Sequence, residues 1–70
     1  MTKAQTVTAN FINGKAQGET FQWDDILTVV KDSKARVKNW LSVRGVLAYF
    51  MQENVITRTT DIYTETYIVN

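Results

Sequence analysis

The chain of 70 residues contains no cysteine, no histidine and no proline, and only three glycines. Without cysteine there is no disulfide framework and no thiolate metal site. Without histidine as well, the usual general base, the usual thiol nucleophile and nearly all transition-metal ligand sets are missing. Neither a Gly-Lys phosphate loop nor a dinucleotide glycine fingerprint is present. The absence of proline argues against a disordered linker. No apolar run approaches the roughly 20 residues that span a bilayer, and the opening MTKAQTVTANF lacks the apolar core of a signal peptide. These absences lead us to expect a cytoplasmic protein that is not an enzyme, binds no metal or cofactor and does not enter a membrane.

What is present suits a single domain over residues 1–70, with an apolar fraction of 44% and a net charge of +1. That small total hides a segregation of charge. Lys3 and Lys15 against Glu19, Asp24 and Asp25 leave residues 1–30 at −1. Lys31, Lys34, Arg36, Lys38, Arg44 and Arg58 against Asp32 and Glu53 bring residues 31–58 to +4. Asp61 and Glu65 leave the tail at −2. Such a distribution can build one basic face on a nearly neutral protein, although solvated helix surfaces also carry charges of this kind.

In Thr6–Ile12, Val7, Ala9 and Phe11 alternate with Thr6, Thr8 and Asn10, the period of a half-buried strand. Asn13-Gly14 follows, a strong signal for a type I′ turn, and a return strand from Lys15 to Phe21 would complete an N-terminal hairpin. From Gln22 the period becomes helical, with Trp23, Ile26, Leu27 and Val30 on one stripe. Asp24 and Asp25 at its start and Lys31 at its end complement the helix dipole. Asp32 or Ser33 would cap a second helix that buries Ala35, Val37, Trp40 and Leu41. Ser42 would cap a third, with Val43, Val46, Leu47 and Phe50 inward. One continuous helix through the same residues is the alternative, with Gly45 costing it about 1 kcal/mol; the broken version is preferred. Asn54 is a suitable left-handed stop. Val55–Thr59 and Ile62–Val69 then read as strands, rich in β-branched and aromatic residues.

The stretch VLAYFMQENVITRT from Val46 resembles the end of a winged helix-turn-helix domain. In that family an apolar residue, a short polar stretch and a turn residue close the third helix, and two apolar residues open the wing. Phe50, Met51-Gln52-Glu53, Asn54 and Val55-Ile56 fill those places. The resemblance covers residues 22–69 and is a pattern of residue classes, not an invariant signature. It implies a three-helix core with a helix-turn-helix and a C-terminal β-hairpin as the wing, which with the N-terminal β-hairpin read above makes an α+β fold. Two features depart from it. The span available for the second helix is short, and Gly45 stands where the family often places a polar side chain facing DNA. Compact domains of this type resemble regulators carried by phages, plasmids and prophages.

On this reading the partner is double-stranded DNA. Arg44 and Gln52 have donors for base edges, and Tyr49 can touch a phosphate or a thymine methyl. Lys34, Arg36, Lys38 and Arg58 would meet the backbone. A protein-binding inhibitor or adaptor is the rival expectation. The aromatic tail, through Tyr63, Tyr67 and Val69, would present a free strand edge to a host protein or to a second copy in a homodimer.

Overall fold

The computed structural model describes residues 1–61 and 63–70. They form an α+β fold of three helices and a three-stranded antiparallel sheet. The helices are α1 (Lys3–Asn13), α2 (Trp23–Asp32) and α3 (Leu41–Gln52). The strands are β1 (Thr20–Gln22), β2 (Ile56–Arg58) and β3 (Thr66–Val69), in the spatial order β1-β3-β2.

The expected N-terminal hairpin is a helix instead. Thr2 Oγ1 accepts from the Gln5 amide at 3.2 Å, and Gln5 Oε1 accepts from the Thr2 amide at 2.9 Å. This reciprocal capping box satisfies two of the orphan groups at a helix start. The stripe that α1 buries is Ala4, Thr8 and Ile12, flanked by half-buried Val7 and Phe11. Strand-like alternation in the sequence hid it because Thr8 counted as polar. In the fold Thr8 is wholly buried, and its hydroxyl donates to the Ala4 carbonyl at 2.8 Å. Asn13-Gly14 therefore ends a helix: Gly14 has a helical φ of −80° and donates its amide to Asn10. The glycine that a turn does require is Gly18, at φ +88° just before β1.

Helix α2 forms where the apolar stripe places it, with Ile26 and Val30 buried and Trp23 and Leu27 half-buried. Asp25 accepts from the Gln22 amide at 2.7 Å and holds its first turn. The expected second helix over residues 33–41 is absent. Ser33 ends α2 rather than starting a helix, its hydroxyl donating to Val30 at 2.6 Å and accepting from Ala35 at 3.3 Å. Lys34 then turns the chain at φ +60°. Residues 35–40 run irregularly, yet Ala35, Val37 and Trp40 still pack against the core. The break between α2 and α3 is thus a connection of eight residues, 33–40.

Asn39, not Ser42, opens α3: its Oδ1 accepts from the Leu41 amide at 2.9 Å. Val43, Val46 and Leu47 are buried as their spacing requires, while Leu41, expected in the core, is 70% exposed. Asn54 takes the left-handed conformation at φ +60° after α3, as its residue type suggested.

Strand β3 lies between β1 and β2, with Phe21 opposite Tyr67 on one side and Arg58 opposite Tyr67 on the other. The last strand is therefore not a free edge. The strand expected over Ile62–Val69 starts only at Thr66, because Tyr63 and Thr64 form a bend that Asp61 holds; Ile62 itself lies outside the described residues. Phe21 and Tyr67 stack at 5.4 Å, and Phe11 meets Phe21 edge-on at 5.7 Å, so α1 and the sheet share one aromatic core. Phe21 is 2% exposed. Replacing it by alanine should cost about 3–5 kcal/mol, most of the stability of so small a domain. Chemical denaturation of Phe21→Ala checks this packing; a midpoint like that of the wild type would contradict it.

Candidate nucleic-acid interface

The connection 33–40 places its three basic side chains on the surface: Lys34, Arg36 and Lys38 are exposed, while the intervening Ala35 and Val37 point to the core. Lys31, exposed in the last turn of α2, adds a fourth cation nearby in sequence. Among the described residues no carboxylate lies within ion-pair distance of any of them. Arg36 and Lys38 also line a groove of about 350 Å³ with Thr2, Val37, Asn39 and Ser42.

Helix α3 follows at once. Its outward face carries Leu41, Gly45, Ala48 and Gln52, one line at helical spacing with no charge on it. Tyr49 flanks this line and is 53% exposed. It faces the side of α1 and lines a groove there, so it stands apart from the basic connection. Gly45 sits inside the helix, where glycine costs about 1 kcal/mol relative to alanine. A Cβ added to it would meet nothing within 4 Å.

Arg44, expected to read bases, is engaged within the protein. Its Nη1 donates to Glu65 Oε2 at 2.7 Å and its Nη2 to Glu65 Oε1 at 3.1 Å. The same guanidinium lies 4.0 Å from the ring centroid of Trp23, a cation–π contact. Both terminal nitrogens, the fork a guanine would need, are thereby taken. Glu65 also accepts from the Tyr67 hydroxyl. Arg44 first, through its hydrogen bonds, and Tyr67 as well hold the Glu65 carboxyl below the usual glutamate range. Burial, with the hydrogen bond to Glu65 adding to it, pushes the Tyr67 hydroxyl up to about 12. Composition gave no sign of this cluster, because Arg44 and Glu65 are 21 residues apart.

Arg58 is exposed on β2. The loop between β2 and β3 presents Tyr63, 90% exposed, and Asp61 shapes it by accepting from the Tyr63 amide at 2.8 Å and the Thr64 hydroxyl at 3.1 Å. The residues expected at a partner interface separate. Tyr63 is on the surface, whereas Tyr67 is 2% exposed in the core and Val69 is half-buried against it. Tyr67 and Val69 sit on the middle strand, whose two edges are already paired, so they offer no edge to another chain.

Among the described residues there is no group of acidic side chains that could hold a metal ion, and no helix is long and apolar enough to cross a membrane. The chain matches no family model, no curated protein and no solved structure.

The Arg44–Glu65 pair generates a pH prediction. Because the folded Glu65 pKa is depressed, the pair's contribution is present above the ordinary glutamate range and is lost as pH falls through the depressed folded value. Arg44 is 42% exposed and Glu65 19%, so solvent screening limits the contribution to about 1 kcal/mol. Glu65→Gln should lower stability by that amount at pH 7, and the gap to wild type should close as pH falls through the depressed folded value. Denaturation curves paired at pH 7 and across the acid range measure it; an equal gap throughout would refute the role given to the ion pair.

Proposed function

We propose that the chain is a small DNA-binding domain of the winged helix-turn-helix kind, acting as a sequence-specific transcriptional regulator. The observation that carries this reading is the connection 33–40, whose exposed Lys34, Arg36 and Lys38 have no carboxylate partner among the described residues and lead directly into α3. Cations left without protein partners at the start of an exposed helix suit the neutralisation of phosphates. Two further features support it. Helices α2 and α3, linked by the eight-residue connection, are followed by the antiparallel pair β2 and β3, the order in which a wing follows the helices of a winged helix-turn-helix. Tyr63, exposed on the loop between β2 and β3, would serve as the tip of the wing in this reading.

In this reading α3 enters the major groove with Leu41, Gly45, Ala48 and Gln52 outward. Gln52 pairs with an adenine edge, and Leu41 or Ala48 touches thymine methyls. Gly45 lets the helix backbone come close. Lys34, Arg36, Lys38 and Arg58 bind phosphates and set the register. Arg44 acts through Glu65 and Trp23, fixing α3 against the sheet rather than reading a base. Of the three residues expected to carry the rival role, capture of a host protein by the C-terminal tail, Tyr63 is exposed, Val69 is half-buried and Tyr67 belongs to the core.

Salt titration of binding to labelled duplex DNA tests the proposal. Log affinity should fall linearly with log salt, with a slope of about −0.9 for each phosphate neutralised. Lys38→Ala should make the slope shallower by about one and weaken all sequences alike. Gln52→Ala should cost about 1–3 kcal/mol on a selected site and little on random DNA. Absence of any complex at low salt would end the DNA reading.

A further inference from the structure

Asn13 is the last residue of α1, and Gly14 follows it as the cap; both are exposed. We propose that this pair is a self-modification site, at which the backbone converts the Asn13 side-chain amide to a carboxylate and the last turn of α1 sets the rate. The reaction needs water alone. The Gly14 backbone nitrogen gives its proton to solvent and attacks Cγ of Asn13. The new N–Cγ bond closes a five-membered imide, the Cγ–Nδ2 bond breaks, and the leaving nitrogen takes a proton and departs as ammonia. Water then opens the ring. Addition at Cγ breaks the new bond and leaves aspartate. Addition at the main-chain carbonyl breaks the original peptide bond and leaves isoaspartate, with the chain routed through the side chain.

Three observations select this asparagine and its gate. The first is the neighbour. Gly14 has no side chain to shield its nitrogen, whereas Asn10, Asn39 and Asn54 precede Phe11, Trp40 and Val55, whose side chains crowd the attack. The second is exposure, which admits the water that opens the imide. The third is the helix end. The Gly14 amide donates to the Asn10 carbonyl at 3.0 Å, and the Lys15 amide to Ile12 at 3.1 Å. While these bonds hold, the Gly14 nitrogen keeps its proton and the helical backbone keeps it from Cγ. Helix ends open at small cost, so the reaction proceeds in the opened turn. Its product also keeps the turn from re-forming. Isoaspartate adds a main-chain carbon between Ile12 and Gly14, and the two closing bonds lose their register. Ile12 and Phe11, which pack on the core and on Phe21, then lose the turn that holds them. None of this depends on the DNA reading.

Incubation of the full chain for weeks at about pH 8 and 37 °C, followed by peptide mass spectrometry, tests the proposal. Asn13 should exchange ammonia for water and yield both aspartate and isoaspartate, while Asn10, Asn39 and Asn54 remain amides. In guanidinium sufficient to unfold the chain, the rate at Asn13 should rise on the order of ten-fold or more, because the gate is gone. Asn13→Gln should stop the conversion, since the longer side chain must close a six-membered ring, and circular dichroism shows that its helix content is kept. Aged wild type should then unfold at a lower denaturant midpoint than fresh protein, and aged Asn13→Gln should not. An Asn13 that stays an amide in the folded chain overturns the proposal. So does a rate that is equal in the folded and unfolded chain, or another asparagine that reacts first. An aged, converted protein with an unchanged midpoint refutes the effect on α1.

Discussion

Tyr67 ties the molecule together. Its ring stacks on Phe21 across the β1–β3 ladder and fills the space under α1, while its hydroxyl donates to Glu65. Glu65 in turn grips Arg44 of α3, and Arg44 covers Trp23 at the start of α2. One side chain thus links the sheet, the aromatic core and both helices of the helical pair. The polar half of this chain is exposed enough that its own stabilisation is small. Its effect is directional: it sets the rotation of α3 about its axis. That rotation decides which residues of α3 meet the core and which meet solvent.

The same rotation explains why the candidate site was only partly legible in the sequence. Lys34, Arg36 and Lys38 were readable because they alternate with Ala35 and Val37, and burying those two turns the basic residues to water. Arg44 was not. A lone arginine on a helix flank can face solvent or a partner, and its partner Glu65 lies just before β3, where sequence spacing cannot bring it near. Tyr67 and Val69 failed for a related reason. A terminal strand was expected to be an edge, but pairing order belongs to the tertiary fold. Here β1, a strand of three residues, takes the place beside β3.

The first twenty residues show a different failure. Val7, Ala9 and Phe11 alternate as a strand does, yet Ala4, Val7, Thr8, Phe11 and Ile12 also make a helical stripe once Thr8 is admitted to the core. Threonine fits there because its hydroxyl donates back to the carbonyl four residues earlier and so needs no outside partner. The Thr2–Gln5 capping box was the local signal that favours the helix, and it outweighs the Asn13-Gly14 dipeptide. Helices α2 and α3 were legible by contrast. The stripes of Trp23, Ile26, Leu27 and Val30, and of Val43, Val46 and Leu47, mix spacings of three and four that a strand's period of two does not fit.

Placing a helix at the N-terminus changes what α3 is for. Had residues 6–21 formed a hairpin, the flank of α3 bearing Gly45 and Tyr49 would have no helical neighbour. With α1 in place, that flank becomes one wall of a groove that Met1 also lines, and the cations gather on the connection before α3. Phosphates need charges that the protein has not already neutralised, and Lys34, Arg36 and Lys38 meet that condition where Arg44 does not. The groove and the basic connection are thus set apart by the helix that sequence periodicity concealed.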